Sequence, residues 1–123
     1  MSAIEEARGD FYNLVRAEVW LMEKFYKAGN SANPPIFKDA HNTWVDKRVE
    51  IGEGTLIEPF CVIKGKSKIG KNCYLHAGVI ISNVTVGDGV TLGHPAQKNT
   101  SIGDGSVIGQ FAEFNRTTIG KFC

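Results

Sequence analysis

From Val45 to Ile81 the chain reads VDKRVEIGEGTLIEPFCVIKGKSKIGKNCYLHAGVII, and an aliphatic residue returns every six positions: Val45, Ile51, Ile57, Ile63, Ile69, Leu75 and Ile81. The series runs on through Val86 after a five-residue step, then Leu92, a ten-residue step to Ile102, then Ile108, Phe114 and, five residues on, Ile119. Two positions before each stands a small or β-branched residue: Thr43, Val49, Thr55, Cys61, Ser67, Cys73, Val79, Val84, Val90, Thr100, Ser106, Ala112 and Thr117. Residues two apart in a strand face the same side, so each repeat sends one small and one larger side chain inward. Gly52, Gly70, Gly87, Gly93, Gly103, Gly109 and Gly120 follow the aliphatic, which suits a corner where a side chain would be crowded or φ positive. One strand and one corner per six residues wind a chain round a prism, three hexapeptides to a coil. The fold class expected over residues 45–123 is therefore all-β, a parallel β-helix of about four coils. No repeat buries its own face, and stacking makes one continuous core. Each buried aliphatic contributes roughly 1.5–3 kcal/mol. Glu58, Lys64, Lys66 and Lys71 fall in outward slots.

Ahead of the repeats, residues 2–28 read as a helix. Ser2 and Glu5 fit a capping box, and Ile4, Phe11, Val15, Val19, Met22 and Tyr26 fall on one apolar stripe. That stripe must bury against something, either the end of the repeat core or the same helix of another subunit, with an external partner as a further alternative. The organisation expected is an N-terminal amphipathic α-helix over 1–30, a linker over 31–44, and the β-helix. Pro34 and Pro35 favour extended chain in the linker.

Fourteen basic and thirteen acidic residues leave a net charge of +1, which gives no electrostatic basis for a nucleic-acid partner or an anionic membrane. No apolar run is long enough for a membrane span, and Glu5, Glu6 and Asp10 stand where a signal peptide needs a basic head. A cytoplasmic protein is expected. Cys61, Cys73 and Cys123 show no metal spacing and read as reduced, buried small residues.

Two irregularities mark possible function. The ten-residue step leaves four residues beyond one hexapeptide within 93–101, expected to leave the wall as a loop, and loops on rigid scaffolds often carry function. The chain also ends inside a rung at Cys123, so either another subunit covers the open edge or the chain is a shortened form of a longer protein. The second is the expectation, because solenoids normally carry a cap.

The repeats over 45–123 resemble the hexapeptide-repeat transferase superfamily. Val49-Glu50-Ile51-Gly52-Glu53-Gly54-Thr55-Leu56-Ile57-Glu58-Pro59, and more specifically Ile108-Gly109-Gln110-Phe111-Ala112-Glu113-Phe114-Asn115-Arg116-Thr117-Thr118-Ile119-Gly120, look like the repeat domain of bifunctional N-acetylglucosamine-1-phosphate uridyltransferases. The resemblance implies a left-handed β-helix, a homotrimer, and acetyl transfer from acetyl-CoA to the amino group of a sugar phosphate or sugar nucleotide in the groove between subunits. It implies a substrate-binding role for the pair after Phe-x-Glu, here Asn115-Arg116, and for the preceding segment around Gln97 and Lys98. The chain departs from the family in carrying Asn115 for a basic residue and Gln97 near an arginine position. The family's catalytic histidine would fall beyond Cys123. No glycine-rich phosphate loop precedes the helix, so the uridyl-transfer half is expected to be missing.

The chemistry read alone asks for a base and for oxyanion donors. Histidine suits the base near neutral pH. His94, beside Pro95 at the start of the irregular segment, is the first candidate and His76, on an outward slot, the second; His41 reads as a solvated linker residue. His76 and His94 are one nominal coil apart and could be stacked neighbours. Two alternatives stay open: a non-catalytic trimeric assembly module, and a zinc protein. For the latter, Gly87-Asp88-Gly89-Val90-Thr91-Leu92-Gly93-His94 resembles a ligand-bearing strand of γ-class carbonic anhydrases, although Asn99 stands where the next ligand is due.

Overall fold

A computed structural model describes residues 13–26, 33–93, 97–98, 100–108, 114–115 and 118–120, with 97–98, 114–115 and 118–119 described by their backbone. Short strands of two or three residues stack into three parallel sheets, the faces of a left-handed β-helix. Face 1 stacks Trp44–Asp46, Val62–Lys64, Ile80–Ser82, Gln97–Lys98 and Phe114–Asn115. Face 2 stacks Glu50–Ile51, Lys68–Ile69, Thr85–Val86, Ser101–Ile102 and Thr118–Ile119. Face 3 stacks Ile36–Phe37, Leu56–Ile57, Tyr74–Leu75, Thr91–Leu92 and Val107–Ile108.

The register places the aliphatic series in columns. Val45, Ile63 and Ile81 stack on face 1, Ile51, Ile69, Val86 and Ile102 on face 2, and Phe37, Ile57, Leu75, Leu92 and Ile108 on face 3. Nearly all are buried, as are the small-slot residues from Thr43 through Ser106. The polar small-slot residues are satisfied by neighbouring backbone. The Thr55 hydroxyl donates to the Gly70 carbonyl at 2.7 Å and accepts from the Cys73 amide, and Ser67 Oγ likewise joins the Lys64 carbonyl to the Val84 amide. Hydroxyls and thiols here bind coil to coil while filling little space.

Crowding, rather than positive φ, explains the glycine after the aliphatic. A Cβ on Gly52 would lie 2.6 Å from the Gly70 carbonyl carbon, and one on Gly70 would meet the Gly87 backbone. The left-handed turn comes two residues later, at Gly54, Asn72, Gly89 and Gly105.

Three expectations need correction. First, the ten-residue step holds no insertion of four residues. Gln97–Lys98 pairs with Ile81–Ser82 and with Phe114–Asn115, so the chain takes two five-residue steps and Gln97 occupies the register position of an aliphatic. A polar residue in that position hid the rung from the sequence pattern. Second, the winding starts before Val45: Ile36–Phe37 opens face 3, and a 3-10 turn over Ala40–Asn42, with the Asp39 side chain accepting from the His41 and Asn42 amides, links it to face 1.

Third, the described part of the N-terminal segment is no continuous helix. β1 (Leu14–Arg16) runs antiparallel to Trp44–Asp46, α1 covers only Ala17–Leu21, and a π turn follows over Met22–Tyr26. Val19, Met22 and Tyr26 of the expected stripe are exposed, and Ala17 and Trp20 are buried instead; Ile4 and Phe11 lie outside the described residues. The open end of a three-sided core is closed by one broad plate more readily than by a helical stripe. Trp20 is that plate: its ring lies 6.0 Å from that of Phe37 and 5.5 Å from that of Phe25, and its indole N–H donates to the Val49 carbonyl at 3.1 Å. The described residues of this segment thus cap the core.

Candidate functional site

The position after the inward aliphatic on face 3 begins the corner toward face 1. On successive rungs it holds Lys38, Glu58, His76 and Gly93, aligned by amides of Lys38, Glu58 and His76 donating to Ile57, Leu75 and Leu92 at 2.9–3.0 Å. Their side chains form a ladder. Lys38 Nζ lies 3.3 Å from Glu58 Oε2, and His76 Nδ1 lies 3.3 Å from Glu58 Oε1. The Tyr74 ring packs on the imidazole with centroids 4.6 Å apart, and the Tyr74 hydroxyl also reaches Glu58. Desolvation pushes the Glu58 carboxyl up, but hydrogen bonds from Lys38 and Tyr74 and the charges of Lys38 and His76 outweigh it and hold the carboxyl below its ordinary range. An ionised carboxylate facing Nδ1 favours the imidazole with its proton there, leaving Nε2 to meet a substrate. His76 is 44% exposed, so that nitrogen can be reached.

The other expected site residues are placed unevenly. His94 and Arg116 lie outside the described residues. In register terms the rung neighbour of His76 is Gly93, not residue 94, because the five-residue step after Ile81 shifts the count by one. On face 1 Gln97 neighbours Phe114 and Lys98 neighbours Asn115, so two of the expected substrate-binding residues sit side by side in adjacent strands. His41 Nδ1 faces Glu18 at 3.5 Å, with both side chains well exposed.

The sequence reading missed Lys38, Glu58 and Tyr74. Glu58 and His76 were findable as corner residues one 18-residue coil apart. Lys38 was hidden because the 3-10 turn makes its coil longer.

Cys61 and Cys73 are not part of the chemistry. Cys61 and Cys73 are free and buried, with Sγ 3.2 Å from the His76 carbonyl and 3.1 Å from the Gly87 carbonyl. Burial pushes the Cys61 thiol up to about 11 and raises that of Cys73. Such thiols stay protonated and unreactive at neutral pH. Among the described residues no group of three His, Cys, Asp or Glu is placed to hold a metal, and no helix is long and apolar enough to cross a membrane.

Comparison with known proteins agrees with this architecture. The family described as bacterial transferase hexapeptide (six repeats) matches residues 48–83 and 66–97. The chain belongs to the hexapeptide-repeat transferase superfamily. Relatives within it include the bifunctional protein GlmU of Clostridium botulinum, 35% identical over 125 residues that cover 87% of this chain and 27% of that protein. The GlmU of Koribacter versatilis is 45% identical over 64 residues, 52% of this chain and 13% of its own length. The GlmU of Thermoanaerobacter pseudethanolicus is 30% identical over 99 residues, 80% of this chain and 22% of its own. The chain thus spans about a quarter or less of the relatives it matches.

Proposed function

We propose that this chain is the β-helical part of a cytoplasmic acyltransferase, moving an acetyl group from acetyl-CoA to the amino group of a sugar phosphate or sugar nucleotide at a groove between subunits of a homotrimer. The observation that carries the reading is the Glu58–His76 dyad on a corner of a hexapeptide-repeat β-helix. In this reading His76 Nε2 takes the proton from the acceptor amine as its nitrogen attacks the thioester carbonyl. The C–S bond then breaks and the proton passes to the departing thiolate. His94 is the alternative base, and Gln97, Lys98, Asn115 and Arg116 hold the acceptor's phosphate. The exposed outward residues Trp44 and Ile80 on face 1, Ile36 and Val107 on face 3, and Phe60 at their shared corner supply an apolar surface for subunit contact.

The same surface favours a second reading, a trimeric assembly module without catalysis. The two part on simple measurements. Transfer predicts that saturating acetyl-CoA raises the melting temperature and that His76→Ala removes acetylation of glucosamine phosphate while leaving the trimer intact by light scattering. A trimer indifferent to acetyl-CoA would leave only the assembly role, and a monomer would sink both.

A further inference from the structure

Face 2 carries a cleft that the transfer chemistry does not use. It lies between the N-terminal cap and the sheet and is lined by Trp20, Lys24, Phe25, Glu50, Lys68 and Lys71 among others. Its cations are Lys24 of the cap and Lys68 and Lys71 of the second coil. Lys38 and Arg48 elsewhere are ion-paired, to Glu58 and Asp46. Lys24, Lys68 and Lys71 form no ion pair with a described residue. Two acids share the cleft: Glu50 is the register partner of Lys68 on the adjacent strand, and Asp88 turns one oxygen to the Lys71 backbone amide at 2.8 Å, so three ammonium groups face two carboxylates that form no ion pair with them. A second cleft that shares Trp20 and Lys24 adds Lys47 and Glu23, with no net charge from the pair.

Unpaired ammonium groups beside an apolar wall in a concave surface focus positive potential, and lysine binds phosphate as a point charge. We infer that this cleft binds a small phosphate-bearing molecule, with the phosphate among Lys24, Lys68 and Lys71 and the attached organic group against Phe25 and the edge of Trp20. A long polyanion fits less well. The cationic band is one rung high, and a chain crossing rungs would meet Glu50 below and Asp88 above. The inference uses none of the residues assigned to acyl transfer and stands or falls apart from it.

The test uses the full chain carrying Trp44→Phe, which leaves Trp20 as the one tryptophan reporting on the cleft. Inorganic pyrophosphate is titrated at matched ionic strength, followed by Trp20 emission and by amide shifts. The expected result is a saturable response, with shifts at Lys24, Gly52 and the segment from Lys68 to Lys71 that are independent of any at Lys98 and Asn115. The double variant Lys68→Gln/Lys71→Gln should weaken binding about tenfold or more, as loss of two phosphate contacts implies. Lys68→Arg/Lys71→Arg should keep it, and Lys38→Gln should leave it unchanged. Raising salt should weaken binding, since exposed charges are screened. No saturable response to pyrophosphate at millimolar concentration would overturn the inference. So would unchanged affinity in the glutamine variant, or tighter binding of a single-stranded oligonucleotide than of pyrophosphate.

Discussion

Face 2 and its two neighbours present the same interior and opposite exteriors. Inside, all three stack buried aliphatics over small residues. Outside, face 2 shows Glu50, Lys68, Thr85 and Ser101, all exposed, whereas face 1 shows Trp44, Val62 and Ile80, and face 3 shows Ile36, Leu56, Tyr74 and Val107 with Thr91 as the one polar member among them. The inward slots are dictated by the need to fill a prism, so aliphatics recur on all three faces, with Gln97 on face 1 and Phe37 on face 3 as departures. The outward slots are free of that demand, so their differences set a charged, polar face apart from two more apolar faces that share the corner bearing Phe60, Glu58 and His76.

The contrast is broken most severely from within. Ile63 is fully buried between Val45 and Ile81. Ile63→Ala should cost about 2–5 kcal/mol in urea denaturation, and Ile63→Asp should prevent folding. Trp20→Ala, which unseals the end of the prism, should cost about 3–5 kcal/mol and expose the first coil to amide exchange before the others.

A smaller effect belongs to Asp46, a buried carboxylate on face 1. Burial raises its proton affinity. The Arg48 guanidinium, at 3.0 and 2.8 Å, and the amides of Arg48 and Gly65 outweigh that and hold its pKa below the ordinary 3.8. A folded pKa below the unfolded one gives stabilisation that is present above the unfolded value and lost as pH falls through the folded one. Asp46→Ala should therefore cost about 1.5–3 kcal/mol at pH 7, as for a hydrogen-bonded charge, and the difference from the parent chain should shrink as pH falls below 3.8. The outward pair Trp44→Ser/Ile80→Ser should cost the subunit about 1–3 kcal/mol, since each side chain is only partly exposed, and dissociate the proposed trimer in light scattering while the chain stays folded. The equivalent outward change on face 2, Thr85→Ser, should alter neither.

The interior was legible in the sequence because it obeys one repeating demand. The six-residue aliphatic period and the small residue two before it named the buried set from Thr43 to Ile108 almost without error. The reading failed where one residue broke the code. Gln97 sits in an aliphatic register position, so a regular rung was read as a loop. The cap was misread because Trp20 acts as a single plate, and a helical period cannot signal one residue. Phe37 was lost behind Pro34 and Pro35. Of the site, His76 was visible as a residue type, but its partners depend on which outward positions stack. That follows from coil length, and coil length varies with every five-residue step and with the turn at Ala40–Asn42.

The pairing of Gln97 with Ile81 tests the winding most directly, because it converts an apparent insertion into an ordinary rung. Cross-strand nuclear Overhauser contacts should link the backbone of Gln97–Lys98 to that of Ile81–Ser82 in parallel register, alongside the regular pairs Leu56 with Tyr74 and Glu50 with Lys68. Contacts in antiparallel register, or Gln97 free of Ile81 while Ile102 still pairs with Val86, would contradict the three-faced winding described for this protein.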